Sequence, residues 1–221
     1  MKIVATKTAN KIGFIASLLV TGEVLTFAIS LLPGFWGIDL INLSFVASFL
    51  LAPTFIAVMT CVHYSAPEEK KIWSHLGLMF STVYAVMVMI TYYTQLVVIR
   101  TNSFGLSPES LKLFTFTPGS LMFALDMLGY GFMCLATLVA APVFGGSKLD
   151  NWIRRLFIVN GLFFLPSLVF PAFIFPQDSG SVEATSQGGV IGYLFWCTLF
   201  VSISVLLAKK FRKLNWDRNR A

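Results

Sequence analysis

A chain of 221 residues that is 57% hydrophobic, 15% aromatic and only 12% charged carries about half the charge of an ordinary soluble domain. That balance excludes a normal water-soluble surface and points to one integral membrane domain spanning 1–221. The net charge of +6 is not a nucleic-acid signature, because the basic residues gather at the ends of apolar segments.

Six runs reach the roughly 20 apolar residues needed to cross a ~30 Å hydrocarbon layer: 12–32, 40–62, 74–98, 119–141, 152–175 and 189–208. A backbone in lipid must satisfy its own polar groups, as a helix or a closed barrel, and barrel strands are much shorter than these runs. The expected fold is therefore all-α, a polytopic six-transmembrane-helix bundle.

The first segment holds Glu23 near its centre and is too long for the apolar part of a cleaved leader, so it is read as retained. PGFWGID then turns the chain into an antiparallel second segment interrupted by Pro53. In HYSAPEEKKIWSH, Ser65 is a candidate N-cap, with Pro67 in the first turn and Glu68 three residues after the cap. The third helix should thus begin in water. Along it, Gly77, Ser81, Tyr84, Val88, Thr91 and Gln95 recur at spacings of three and four, which is one helical face. Small and polar residues in that pattern pack helices together in membranes or line a cavity.

The connection TNSFGLSPESLKLFTFTPGS offers Ser107 and Pro108 as the start of a short interfacial helix with Leu111 and Phe114 on one face. The fourth segment, LMFALDMLGYG at its start, carries Asp126. FGGSKLDNWIRR follows, with Trp152 as an interfacial anchor beside Arg154 and Arg155. Pro166 and Pro171 interrupt the fifth segment, the Ser- and Gly-rich PQDSGSVEATSQGG is expected to be mobile, and the chain ends in KKFRKLNWDRNR.

Threaded through six spans, 14 of the 16 Lys and Arg residues fall on one side, leaving Arg100 and Lys112 on the other. The positive-inside rule then places a multi-pass protein in the inner (cytoplasmic) membrane with N and C termini cytoplasmic. The basic tail should attract anionic headgroups by roughly 1 kcal/mol per charge, which makes membrane lipids the expected partner. A membrane-protein partner or a second copy is the other kind of contact such a chain invites.

Much chemistry is excluded. No lysine lies inside a span, so a retinal Schiff base has no anchor. His63 and His75 sit near a solvated helix start with Glu68 and Glu69, a poor metal setting, and no haem or HExxH ligand spacing occurs. Cys61, Cys134 and Cys197 follow no ligand or disulfide pattern. Neither a phosphate-binding GK[ST] loop nor a GxSxG elbow is present. No metal and no cofactor are expected.

What remains is polarity at depth. Glu23 and Asp126 are the only acids deep in the spans, and an aspartate at a helix centre costs about 2.5 to 3.5 kcal/mol to insert. Both should face the bundle, as proton carrier, cation ligand, general acid or interhelical hydrogen-bonding group. Asp126 lies seven residues below Gly119, roughly 10 Å, and Gln95 five below Arg100, roughly 8 Å. Those matching depths predict a hydrogen bond from Asp126 to the third helix near Gln95, with Tyr130 on the same face as Asp126 and Arg100 able to reach down. The candidate polar pocket is thus Asp126, Glu23, Gln95, Thr91, Tyr84, Tyr130, Arg100 and Asn160.

The segments YYTQLVVIR (92–100) and GSLMFALDMLGYGFM (119–133) resemble a group of small prokaryotic multi-span membrane proteins. The resemblance brings no activity and no functional residues with it. The expected function is a small transporter or ion-coupled permease with a polar pocket in its outer half. The alternatives are an intramembrane enzyme acting on a lipid or isoprenoid, with Glu23 or Asp126 as general acid or base, and an accessory subunit of a membrane complex.

Overall fold

The structure, a computed structural model, describes residues 2–32, 38–102, 104–169 and 187–218, with side chains over 7–32, 38–102, 104–167 and 192–215 apart from Ser103. Among these residues it is all-helical, with no strand. The elements are α1 (Lys2–Leu31), α2 (Ile41–Ser65), α3 (Lys71–Tyr93), α4 (Pro108–Phe114), α5 (Leu121–Ala140), α6 (Lys148–Leu162), α7 (Phe164–Val169) and α8 (Gln187–Arg218). A 3-10 turn at Glu68–Lys70 leads into α3, a π-helical stretch, Thr94–Ile99, extends it, and a second 3-10 turn, Ala141–Val143, follows α5.

Among the described residues five stretches are long and apolar enough to cross a membrane: Lys7–Leu31, Ile41–Ser65, Glu68–Ile99, Leu121–Val143 and Gly192–Asn215. The expected segment 152–175 differs. Its helix stops at Leu162, turns at Phe163 and resumes as α7. Leu162 lies four residues before Pro166, so its carbonyl is the one that loses its helical partner when proline supplies no N–H. Residues 170–186, with Pro171 and most of the Ser- and Gly-rich loop, lie outside the described residues.

The helices pack in a closed circuit: α1 against α2, α2 against α3, α3 against α5, α5 against α6, α6 against α8, and α8 back against α1. Close approach depends on small residues. A Cβ on Gly77 would stand 2.9 Å from the Ala136 carbonyl, and one on Gly161 only 2.5 Å from Leu138 Cβ. The expected face of α3 is the buried one, since Gly77, Ser81, Tyr84, Val88, Thr91 and Gln95 are all withdrawn from the surface. Cys61, Cys134 and Cys197 are free and buried.

Helix starts follow short polar side chains. Ser107 accepts from Ser110 N, Ser120 from Phe123 N and Ser147 from Asp150 N. Ser65 does not cap α3. Pro67 forces Ala66 into an extended conformation (φ −71, ψ 141), which ends α2 after Ser65 and leaves its hydroxyl to donate to Asn10 Oδ1 at 3.3 Å. Pro53 is accommodated within an unbroken α2.

One end of the bundle is basic. Lys7 and Lys11 on α1, Lys70 and Lys71 before and in α3, Lys148 on α6 and Lys209 to Lys213 on α8 meet there. Contacts from Asn10 to Ser65 and from Asp150 to Lys210 tie the end together. Arg100 and α4 lie at the far end.

Candidate functional site

Asp126 sits in the second turn of α5 from the far end, 4% exposed. The Tyr92 hydroxyl of α3 stands beside its carboxyl, while Oδ1 is buried with no partner in the protein. One turn deeper on α5, the Tyr130 hydroxyl lies among those of Ser48 on α2 and Tyr84 and Tyr92 on α3. Ser48 Oγ and Tyr84 Oη stay short of hydrogen-bonding geometry and, with Thr91 Oγ1, are buried without a partner. Donors and acceptors thus crowd together here without being matched, which is uncommon in a folded interior.

Two aromatic layers seal this centre. Towards the far end, Phe116 packs on Phe45 at 5.7 Å, on Tyr92 at 5.9 Å and on Phe123 at 5.5 Å. Towards the basic end five rings close on themselves across the bundle. Phe55 meets Tyr84 (5.7 Å), Tyr84 meets Tyr130 (5.4 Å), Tyr130 meets Trp196 (5.4 Å), Trp196 stacks on Phe200 (5.0 Å), and Phe200 returns to Phe55 (5.7 Å). The carboxyl of Asp126 lies between a roof and a floor of rings.

A second carboxyl adjoins the floor. Glu23 on α1 is half-buried; its Oε1 lies 2.9 Å from Thr54 Oγ1, next in sequence to the floor residue Phe55, and its Oε2 is buried without a partner. Tyr84, fully buried, lies within the electrostatic reach of both Asp126 and Glu23. Asp126, Tyr84, Tyr130 and Glu23 therefore belong to one region, and Thr91 is buried on the same face of α3 as Tyr84.

Three expected members are elsewhere. Gln95 does not bond Asp126: its Nε2 donates to Phe114 O at 2.8 Å and its Oε1 accepts from Phe116 N at 2.9 Å. It clamps the α4–α5 connection and so holds Phe116 in the roof. The π-helical stretch begins at Thr94, and the wider turn redirects the side chains that follow. Arg100 is exposed at the far end. Asn160 is buried on α6 and donates to Thr137 Oγ1 at 2.9 Å; Thr137 is eleven residues past Asp126, roughly 16 Å along α5.

Tyr92, Ser48 and the two aromatic layers escaped the sequence reading. Tyr92 follows Val88 by four, as regular a step as the three that leads to Thr91, so the signal was there. The layers join rings from four segments, and only the circuit of helices reveals them. Near the basic end, the His63 and His75 rings lie 5.6 Å apart and His63 Nδ1 is 2.9 Å from Ser74 Oγ. Among the described residues no three His, Cys, Asp or Glu come close enough to hold a metal ion. Comparison with known protein families, with characterised proteins and with solved structures gave no match, so the functional reading rests on these residues.

Proposed function

We propose that this is an integral inner-membrane protein with six spans, α6 and α7 belonging to the fifth. Both termini face the cytoplasm, and the protein carries a proton or small cation through the Asp126 centre. The five long apolar helices and the six-membered circuit support the membrane reading, and the basic residues gathered at one end support the orientation. The observation that carries the function is a buried carboxyl with an unpartnered oxygen, set among hydroxyls and closed on both sides by rings.

A transporter needs a site that binds from one side, closes, and opens to the other. Asp126 supplies the charge, Tyr92 holds the carboxyl in place, and each aromatic layer serves as a gate whose opening wets the centre from one face. The bulk of the rings on both sides suits a proton or small cation better than a lipid or isoprenoid substrate. This favours carriage over intramembrane catalysis.

Proteoliposomes with an internal pH dye and an imposed ion gradient test the reading. The wild-type chain is expected to carry protons or exchange them for sodium or potassium, and Asp126→Asn to lose at least tenfold of that flux while folding normally, since an amide of the same shape can accept from the neighbouring Tyr92 hydroxyl. Undiminished flux through Asp126→Asn would exclude carriage by this carboxyl.

A further inference from the structure

At the basic end a cavity of about 110 Å3 opens between α2, the segment after α5, and α8. It has no part in the Asp126 centre. Val62, Phe144 and Phe211 give it apolar walls, while Ser65, Gly145 and Lys210 bring polar groups. Lys210 is held by an ion pair with Asp150 and lies 5.6 Å over the Phe144 ring. Lys70 approaches from the other side, its Nζ 3.7 Å from where a Cβ on Gly145 would stand.

Positive charge exceeds negative among the groups just named, Lys70 and Lys210 against Asp150. Asp150 holds Lys210 through Oδ1 and the Ser147 hydroxyl through Oδ2, and its single negative charge offsets only one of the two ammonium groups. An ammonium has three N–H groups, of which Asp150 takes one from Lys210. Behind Ser65, Asn10 is 1% exposed with its Oδ1 accepting from Ser65 and its Nδ2 unpartnered. Lys210 in the wall and Lys70 beside Gly145 thus bring two positive charges to a cavity at which Asp150 offsets one, with the Asn10 amide one contact further out behind Ser65. An acceptor-rich anion completes that set.

We infer that this cavity binds a phosphate ester, and that its source is the headgroup of an anionic phospholipid. The volume equals roughly three to four waters' share of the liquid at about 30 Å3 each, which accommodates a phosphate group. The walls of Val62, Phe144 and Phe211 suit the glycerol carbons and first methylenes of a lipid and have no counterpart in a free phosphate ion.

The test is lipid binding to the full chain in nonionic detergent, followed by native mass spectrometry with phosphatidylglycerol, phosphate-free diacylglycerol and free glycerol phosphate as probes. Phosphatidylglycerol is expected to bind at least tenfold more tightly than diacylglycerol. Lys70→Gln should weaken it at least fivefold, whereas Arg212→Gln, exposed on α8, should change it less than twofold. Lys210→Met with Asp150→Leu removes the ion pair as a unit and should weaken binding further; if that variant does not fold, Lys70→Gln still decides. Equal binding of phosphatidylglycerol and diacylglycerol, or equal losses from Lys70→Gln and Arg212→Gln, would overturn the site. Glycerol phosphate binding as tightly as phosphatidylglycerol would uphold the phosphate site and overturn the lipid source.

Discussion

Thr54 has one hydroxyl proton and two acceptors, Glu23 Oε1 and the Leu50 carbonyl, each at 2.9 Å. When Glu23 is ionised, that proton serves the carboxylate. When Glu23 is protonated, the acid donates to Thr54 Oγ1 and the hydroxyl turns to Leu50. A hydrogen bond survives both states, so the carboxyl can change charge without losing its partner. Thr54→Val abolishes both arrangements and leaves Glu23 Oε1 unmatched in a part-buried setting, at a cost of about 1 kcal/mol; unfolding in detergent micelles should show that loss, with Thr54→Ser close to wild type. At this scale the sequence expected Asp126 to face the bundle, where it is buried, and expected Gln95 as its partner, whose amide is spent on Phe114 and Phe116 instead. Counting residues at 1.5 Å each fixes height on a helix, and Tyr92 and Gln95 differ by only about 4.5 Å in height. Which of them turns towards Asp126 depends on the π-helical stretch, and no residue pattern announced it.

Elements packed at backbone distance tolerate little. Gly161 on α6 faces Leu138 on α5, and a Cβ there would fall 2.5 Å from Leu138 Cβ, an atom fixed to the backbone. Gly161→Val is therefore expected to push α6 off α5 and to destabilise the fold by about 1–3 kcal/mol, read as a lower unfolding temperature and exposure of the Asn160–Thr137 hydrogen bond to amide-side-chain exchange. Helix boundaries were legible where a single local interaction decides them, as at Ser107 with Pro108. They were misread where two local rules compete: Ser65 has the right side chain for a cap, but Pro67 fixes the backbone before it. Pro166 announced an interruption, and the site of the break, at Leu162, follows from the missing fourth-residue bond.

For the whole molecule, the closed circuit from α1 to α8 brings the first and last helices side by side, with Thr21 Oγ1 2.7 Å from Ser204 Oγ. The six crossings proposed above would put both ends of the chain on one face. A reporter fused after Ala221 should then lie in the cytoplasm and one inserted between Ser179 and Gly189 on the opposite side; matching compartments would rule out six crossings. Apolar run length made five of the expected segments legible, as helices long and apolar enough to cross a membrane among the described residues. The order in which helices neighbour one another is set by side-chain fit across the bundle, and so Asn160, plausible by depth and polarity, belongs with Thr137 instead of Asp126.

Gln95 works like one rung of a two-strand ladder, since its amide gives a hydrogen to Phe114 O and takes one from Phe116 N. A glutamic acid at this position reproduces both bonds only while it carries its proton; once ionised, it sets a negative oxygen against the Phe114 carbonyl. Gln95→Glu would thus convert a permanent fastening into a hatch worked by acid and base. Hydrogen exchange at the Phe116 amide should be slow at low pH and quicken as the pH rises, with wild type following only the ordinary base-catalysed trend. The roof over Asp126 would then have an external handle, and its opening could be timed against ion flux in a single preparation.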